Sequence, residues 1–299
     1  MEIATAQIMT AMVTPFNENG QVDFAKTATL IEYLLANGTE GLIVGGTTGE
    51  SPTLSHSEKL ELYKKTVEIV HGRVPIIAGT GSFNTAETIA FTKEVAEIAG
   101  IDAALVVAPY YNRPNQEGLY QHFKAVAKAS PLPIMIYNVS ARTGVNVEVQ
   151  TTLRLSLLEN VIGIKECAGL EAMSAIIEGS EPDFLVYTGE DHLAFPTKCM
   201  GGAGVISVAS HVVGNEMSEM YRLLDNGLLA DAARIYRMLL PKMSIVFSVP
   251  SPAPVKAVLN QQGISVGGVR LPLVECTKEE EMTIFNRLEI NRKAREIIF

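Results

Sequence analysis

Residues 41–71 read GLIVGGTTGESPTLSHSEKLELYKKTVEIVH, which contains a strand, a glycine-rich turn and a helix in succession. The run Gly41–Val44 is continuously apolar, as is typical of a parallel strand that is buried on both faces. Ser55 is followed three residues later by Glu58, the capping-box pattern of a helix N-terminus. We therefore predict a strand–turn–helix unit, which is the building block of parallel sheets.

The same pattern of a short apolar run followed by an amphipathic helical stretch recurs up to about residue 225. Predicted helices include Asp23–Asn37, Ser55–His71, Thr85–Ala99 and Gln116–Ala129. The eight predicted strands are Ile8–Val13, Gly41–Val44, Val74–Ala78, Ala103–Val107, Ile134–Tyr137, Ile162–Lys165, Phe184–Tyr187 and Gly204–Val208. Eight units favour an α/β fold closed into a (β/α)8 TIM barrel. An open nucleotide-binding sheet is disfavoured, because no G-x-G-x-x-G motif follows the first strand.

The pattern changes in the last quarter of the chain, where no further strand is predicted. Leu228–Val246 and Lys278–Ile298 have the pattern of helices, and Ser251–Leu259 begins with prolines and then becomes helical. We therefore expect a catalytic (β/α)8 barrel over residues 1–227 and a C-terminal helical domain over residues 228–299, packed on the barrel.

Composition excludes several classes of function. The formal net charge of -9 argues against nucleic acid, which requires clustered Lys and Arg. No basic amphipathic segment and no apolar run of about 18 residues is present, so we expect no membrane association. The N-terminus lacks the pattern of a signal peptide, which favours a cytoplasmic protein. The three cysteines, Cys167, Cys199 and Cys276, lie far apart in the sequence. This spacing favours a reducing compartment and argues against a metal site.

A lysine stands where a barrel enzyme places its reactive groups. Barrel active sites lie at the carboxyl ends of the strands, and the sixth predicted strand ends in Gly163-Ile164-Lys165-Glu166. In a dry barrel mouth, desolvation favours the free amine of a lysine, which is the nucleophile that forms a Schiff base with a ketone. The alternative is that Lys165 reaches solvent or pairs with a carboxylate such as Glu166.

Other polar side chains follow the predicted strands at the same end of the barrel. Tyr137 can relay protons beside a lysine, and Arg142 can grip a carboxylate through two parallel hydrogen bonds. Thr47 and Thr48 stand in a glycine-rich turn that can orient a small carboxylate. Tyr111 lies between prolines in a stiff loop with a contact role. Each also has a purely structural interpretation, as a core tyrosine, a surface arginine, a helix cap or an interface residue.

Four motifs in register are more specific than any one of these residues. They are Gly-Thr-Thr-Gly-Glu-Ser at 46–51, Pro-Tyr-Tyr-Asn-Arg-Pro at 109–114, Tyr-Asn-Val-x-x-Arg-Thr-Gly at 137–144 and Gly-Ile-Lys-Glu at 163–166. With them the chain resembles, over essentially its whole length, the dihydrodipicolinate synthase family of pyruvate-dependent class I aldolases. The resemblance implies condensation of pyruvate with L-aspartate 4-semialdehyde to 4-hydroxy-tetrahydrodipicolinate, in lysine and diaminopimelate biosynthesis, without a metal or organic cofactor.

The resemblance also implies a catalytic role for four residues. Lys165 forms the imine with pyruvate, and Tyr137 shuttles the proton. Thr47 links Tyr137 to Tyr111, which reaches in from a neighbouring subunit. The relay then requires at least a dimer, and the family implies a tetramer built as a dimer of dimers.

The resemblance implies that four further residues bind substrate. Thr48 holds the carboxylate of pyruvate, and Arg142 holds the carboxylate of the aldehyde. Gly189 and Ile206 line the pyruvate pocket.

Two other functions stay open at this point. One is another pyruvate-dependent aldolase, such as a sialic acid or 2-keto-3-deoxy-sugar-acid lyase. Arg142 argues against it, because a neutral sugar needs no guanidinium partner. The other is a catalytically silent barrel that acts as a binding or structural protein.

Feedback inhibition by L-lysine is expected to be weak or absent. Lysine-inhibited members of the family have a polar interface cluster, which this chain matches at Ser51, His56, Glu87 and Tyr110. It departs from the cluster at Pro52, Lys59 and Phe83. A cationic Lys59 would repel the ammonium group of the ligand.

Overall fold

Eight parallel strands pair in chain order and close on themselves, with the last strand hydrogen-bonded to the first. This computed structural model describes residues 3–290. The strands are β1 Ile8–Ala11, β2 Gly41–Val44, β3 Ile76–Gly79, β4 Ala103–Val107, β5 Ile134–Asn138, β6 Val161–Glu166, β7 Leu185–Thr188 and β8 Gly204–Ser207. The predicted (β/α)8 TIM barrel is confirmed. Each predicted strand end lies within two residues of the observed one.

Helices connect the strands and surround the barrel. They are α1 Phe24–Ala36, α2 His56–Val70, α3 Thr85–Ala96, α4 Gln116–Ala129, α5 Ser140–Thr143, α6 Val149–Ser156, α7 Leu170–Gly179, α8 Ala194–Cys199 and α9 Ser210–Asp225. The capping box predicted for α2 is present, since Ser55 accepts a hydrogen bond from the Glu58 N–H and Glu58 accepts one from the Ser55 N–H.

Three helices follow the barrel: α10 Leu229–Ile245, α11 Ala253–Gln261 and α12 Lys278–Arg287. Both α10 and α11 pack on α9, and α12 packs on α10 and α11. The predicted helix Lys278–Ile298 was too long, because α12 ends at Arg287. Residues 291–298 of that prediction lie outside the described part of the chain. The division at residue 227 stays a prediction.

The apolar side chains form two layers on either side of the strands. Residues such as Met9, Ile77 and Met135 fill the barrel interior. Their neighbours along the strands, such as Ile8 and Ile136, pack outward against the helices. Successive residues on a strand point to opposite faces, so burial on both faces explains the continuously apolar runs in the sequence. Among the helices of residues 3–290, none has the length and apolar character needed to cross a bilayer.

Candidate active site

Lys165 lies near the end of β6, between two tyrosines on the neighbouring strands. It pairs in register with Tyr137 of β5 and Tyr187 of β7. Its side chain is only 6% exposed, and its Nζ lies 4.4 Å from the centre of the Tyr137 ring. The register therefore places an amine and a phenol side by side in the barrel mouth.

The adjacent carboxylate of Glu166 points away from this lysine, as expected for the next residue on a strand. It accepts hydrogen bonds from Nδ2 of Asn138 at 2.8 and 3.0 Å and from the Ala168 N–H at 2.7 Å. Burial raises the pKa of Glu166. Pairing of Lys165 with Glu166, one alternative drawn from the sequence, is therefore wrong. Within residues 3–290, no hydrogen bond or ion pair engages Nζ of Lys165, so the amine is not held in a salt bridge.

A cavity of about 330 Å³ opens above Lys165. Its walls bring together six of the eight residues predicted for the site: Thr47, Thr48, Tyr137, Arg142, Lys165 and Gly189. They come from the ends of β2, β5, β6 and β7 and from the segments that follow them. The cavity thus combines a nucleophilic amine with hydroxyl groups, main chain and a guanidinium, which suits a small carboxylate substrate.

Gly189 contributes through its lack of a side chain. A Cβ built on it would lie 2.7 Å from Cε of Lys165 and would also collide with Sγ of Cys167. The glycine therefore leaves the space through which the lysine side chain runs.

The guanidinium of Arg142 is exposed at the cavity rim, on the short helix α5. Gly144 ends this helix in the left-handed conformation, with φ 71°. Arg113 supports the turn, because its Nε donates to the Gly144 carbonyl at 3.0 Å. Within the described residues the Arg142 side chain has no hydrogen-bond or ion-pair partner, so it is free to bind an anion.

Comparison with known proteins places this geometry in a family. The family model described as the dihydrodipicolinate synthetase family matches residues 4–291. The chain belongs to the dihydrodipicolinate synthetase family.

Individual members of the dihydrodipicolinate synthetase family are similar to this chain in sequence or structure over nearly its full length. The 4-hydroxy-tetrahydrodipicolinate synthase of Enterococcus faecalis is 61% identical over 290 residues, covering 97% of this chain and 100% of that protein. A dihydrodipicolinate synthase from Bacillus anthracis of known structure is 49% identical, with a TM-score of 0.93, covering 96% of this chain and 98% of that one. The structure of the Cyanidioschyzon merolae enzyme with lysine bound is 39% identical, with a TM-score of 0.93, 96% coverage of this chain and 98% of that one. The resemblance inferred from the four motifs is confirmed.

Two predicted site residues lie outside the cavity of this single chain. Tyr111 is 91% exposed, with φ 68°, and it lines neither this cavity nor the neighbouring one described below. Ile206 is fully buried in the barrel interior, and Val208 lines the cavity in its place. No hydrogen bond joins Thr47 to Tyr137 among residues 3–290, although both side chains face the same space.

Sequence reasoning did not predict the other residues that line the cavity, which include Cys167, Glu190, Phe247 and Ser251. Cys167 lies two residues beyond Lys165, so the two-residue period of a strand was a signal for it. Burial raises the pKa of the Cys167 thiol to about 12, which disfavours the thiolate. Phe247 and Ser251 come from the connection between α10 and α11, far along the chain, and no local pattern marks them.

A second cavity of about 330 Å³ adjoins the first and shares Thr47, Tyr137 and Arg142 with it. Several residues of the predicted feedback cluster line it: Ser51, Pro52, Lys59 and Tyr110. Burial lowers the pKa of Lys59, and its Nζ lies 5.8 Å from the centre of the Phe91 ring. No Asp or Glu is among the lining residues that the structure describes, so the wall of this cavity contributes no carboxylate to pair with a second cation.

Proposed function

We propose that the protein is a Schiff-base-forming lyase that condenses pyruvate with L-aspartate 4-semialdehyde to give 4-hydroxy-tetrahydrodipicolinate. The observation that carries the proposal is the buried amine of Lys165, which has no ion-pair partner in the described part of the chain, in a cavity that also presents Tyr137, Thr48 and Arg142. Family membership and relatives named 4-hydroxy-tetrahydrodipicolinate synthase support it over a sugar-acid lyase.

The chemistry follows from the properties of an imine. Nζ of Lys165 adds to the ketone carbon of pyruvate, water leaves, and the protonated imine becomes an electron sink. The methyl group of pyruvate then loses a proton to give an enamine, which attacks the aldehyde carbon of the second substrate. The amine of that substrate displaces Lys165 as the ring closes, so the enzyme is regenerated without an external reductant or oxidant.

The position of each residue in the cavity supports the role that we propose for it. Tyr137, beside Nζ, transfers protons as the imine forms, and Thr47 extends the relay. Thr48, in the turn after β2, holds the carboxylate of pyruvate. Arg142 at the rim holds the carboxylate of the aldehyde through its guanidinium, while Gly189 shapes the pocket around Lys165.

The full relay requires a second subunit. Tyr111 is too exposed to act within its own chain and protrudes on a loop held by Arg113. We propose that it enters the site of a neighbouring subunit, and that the enzyme is a cytoplasmic homotetramer assembled as a dimer of dimers. In that assembly Ile206 acts from below the pocket, through the barrel core rather than by direct contact.

Steady-state turnover with both substrates tests the proposal. Added dihydrodipicolinate reductase converts product formation into NADPH consumption, and Arg142→Ala is compared with Arg154→Ala, a surface arginine paired with Glu117. Loss of a charge-assisted contact of about 3 kcal/mol lowers kcat/KM for the aldehyde about 100-fold. Arg154→Ala should leave this value unchanged.

Borohydride trapping of pyruvate, read by mass spectrometry, separates the alternatives. Trapping on Lys165 without turnover of L-aspartate 4-semialdehyde would move the assignment to a sugar-acid lyase. A wild-type protein that traps no pyruvate would be a catalytically silent barrel.

A further inference from the structure

A second buried lysine lies outside the chemistry described above. Lys256 of α11 is fully enclosed, and its Nζ lies 2.8 Å from Oε1 of Glu50; their side chains are 2% and 0% exposed. The two residues are 206 positions apart in the chain. Burial of a charged pair is costly unless further hydrogen bonds satisfy both groups, so the pair calls for a functional explanation.

Both charges are satisfied by the chain segment that follows α11. Nζ of Lys256 also donates to the Gly268 carbonyl, and the other carboxylate oxygen of Glu50 accepts from the Arg270 N–H at 2.9 Å. Phe16 closes the arrangement, because Nζ of Lys256 lies 4.1 Å from the centre of its ring. The carboxylate of Glu50 is therefore fixed by two donors from the C-terminal part of the chain.

Glu50 ends the turn that carries Thr47 and Thr48. Its N–H donates to the Thr47 carbonyl at 3.0 Å, and its backbone has φ 57°, in the left-handed region. A glutamate in that region is retained only where surrounding contacts determine the conformation, and here the buried carboxylate provides them. The orientation of the two threonines thus depends on the side chain of Glu50.

The other end of the pair leads to a second part of the cavity wall, contributed by a distant segment of the chain. Lys256 lies in the first turn of α11, and the connection just before that helix contributes Phe247 and Ser251 to the cavity. The pair consequently ties the wall that contains Thr48 to the wall that contains Ser251.

We propose that Glu50 and Lys256 are positioning residues that set the affinity for pyruvate, by holding the Thr47–Thr48 turn in a fixed position relative to the Phe247–Ser251 segment of the cavity wall. This rests on the proposed function, in which Thr48 receives the carboxylate of pyruvate. Neither residue touches the reacting atoms, so the extent of imine formation at saturating pyruvate is unaffected by their loss.

Glu50→Gln tests the proposal, and Glu58→Gln is the matched control. Glu58 binds the guanidinium of Arg270, which belongs to the same C-terminal segment, but it does not touch the turn after β2. Both variants lose one carboxylate charge from the attachment of that segment. For each we would measure the thermal midpoint, KM for pyruvate, kcat, and the pyruvate concentration that half-saturates borohydride trapping.

Glu50→Gln should raise KM and the half-saturating pyruvate concentration about tenfold or more, with maximal trapping on Lys165 retained; this corresponds to about 1.4 kcal/mol of binding. Glu58→Gln should lower the thermal midpoint and leave both pyruvate values within about twofold of wild type, well below that tenfold step. An equal loss of pyruvate affinity in the two variants, or none in Glu50→Gln, would overturn the proposal.

Should Glu50→Gln fail to fold because Lys256 is left unpaired, the double variant Glu50→Gln/Lys256→Met removes both charges and relieves that penalty. It should fold and still bind pyruvate weakly, and wild-type affinity in it would refute the positioning role. Absence of trapping in the wild-type protein would instead show that the proposed function itself is wrong.

Discussion

A single methyl group at position 189 is expected to inactivate the enzyme without unfolding it. Gly189→Ala places a Cβ 2.7 Å from Cε and 3.2 Å from Cγ of Lys165. The φ angle of Gly189 is not in the left-handed region, so the backbone itself accepts alanine. The effect is therefore steric, and the groups that must yield are the thiol of Cys167 and the aliphatic part of the Lys165 side chain.

The size of the effect follows from these distances. Carbon atoms in contact prefer a separation of about 3.5–4.0 Å, so Cε must move by about 0.8 Å or more. A displacement of about 1 Å in a reacting group costs about 100-fold in rate. Overpacking of this kind destabilises by about 1–3 kcal/mol, which in a chain of this size lowers the thermal midpoint by a few degrees.

Borohydride trapping of pyruvate on Lys165 and the coupled assay together measure this change. We expect kcat/KM for pyruvate to fall about 100-fold while the thermal midpoint falls by less than about 10 °C. Adding Cys167→Ala to Gly189→Ala removes the contact with the thiol and leaves the contact with the lysine, so it should not restore activity. Recovery in that double variant, or near-normal trapping in a folded Gly189→Ala protein, would refute the reasoning.

Three further predictions concern acid stability, feedback and assembly. Nε2 of His211 accepts from the Val13 N–H, its Nδ1 donates to the Val208 carbonyl, and burial lowers its pKa to about 4. Since the folded state favours neutral His211, the contribution of this residue to the free energy of unfolding is complete above pH 6.5 and decreases as the pH falls, by about 2 kcal/mol at pH 5. In urea unfolding, His211→Gln should therefore lose less stability than the wild type between pH 8 and pH 5. Calorimetric titration with L-lysine at neutral pH should show no micromolar binding, because Lys59 lies in the wall of the second cavity, and tight binding would contradict this. Tyr111→Phe should lower kcat while sedimentation still shows an oligomer. If the protein were fully active as a monomer, a relay between subunits would be excluded.

Local patterns were sufficient to predict most of the barrel. The apolar run Gly41–Val44 and the Ser55 capping box are each determined by a few consecutive residues, and both were predicted at the observed places. The strand ends in turn located most of the cavity, because a closed parallel barrel brings all its carboxyl ends to one face. The orientation of Glu166 was also implied by strand alternation, although the sequence left it open as a partner for Lys165.

Interactions between distant segments were not predictable in this way. Phe247 and Ser251 reach the cavity only because the connection after α10 folds back over the barrel mouth. The placement of Tyr111 depends on a loop conformation with positive φ, which no property of tyrosine favours. Long-range packing decides such positions, and a single sequence contains no periodic signal for it.

The two buried lysines show why a shifted pKa alone does not identify a nucleophile. Burial lowers the pKa of Lys256 to about 8, and by that criterion Lys256 would be chosen as the Schiff-base residue. Yet its ammonium is bound by Glu50 and the Gly268 carbonyl, and it lies outside the residues that line the active-site cavity. Among residues 3–290, Lys165 has no such partner, and it faces the cavity. A lysine can attack a ketone only where its lone pair is free and space for the substrate adjoins it, so the position at a strand end was the better guide than burial.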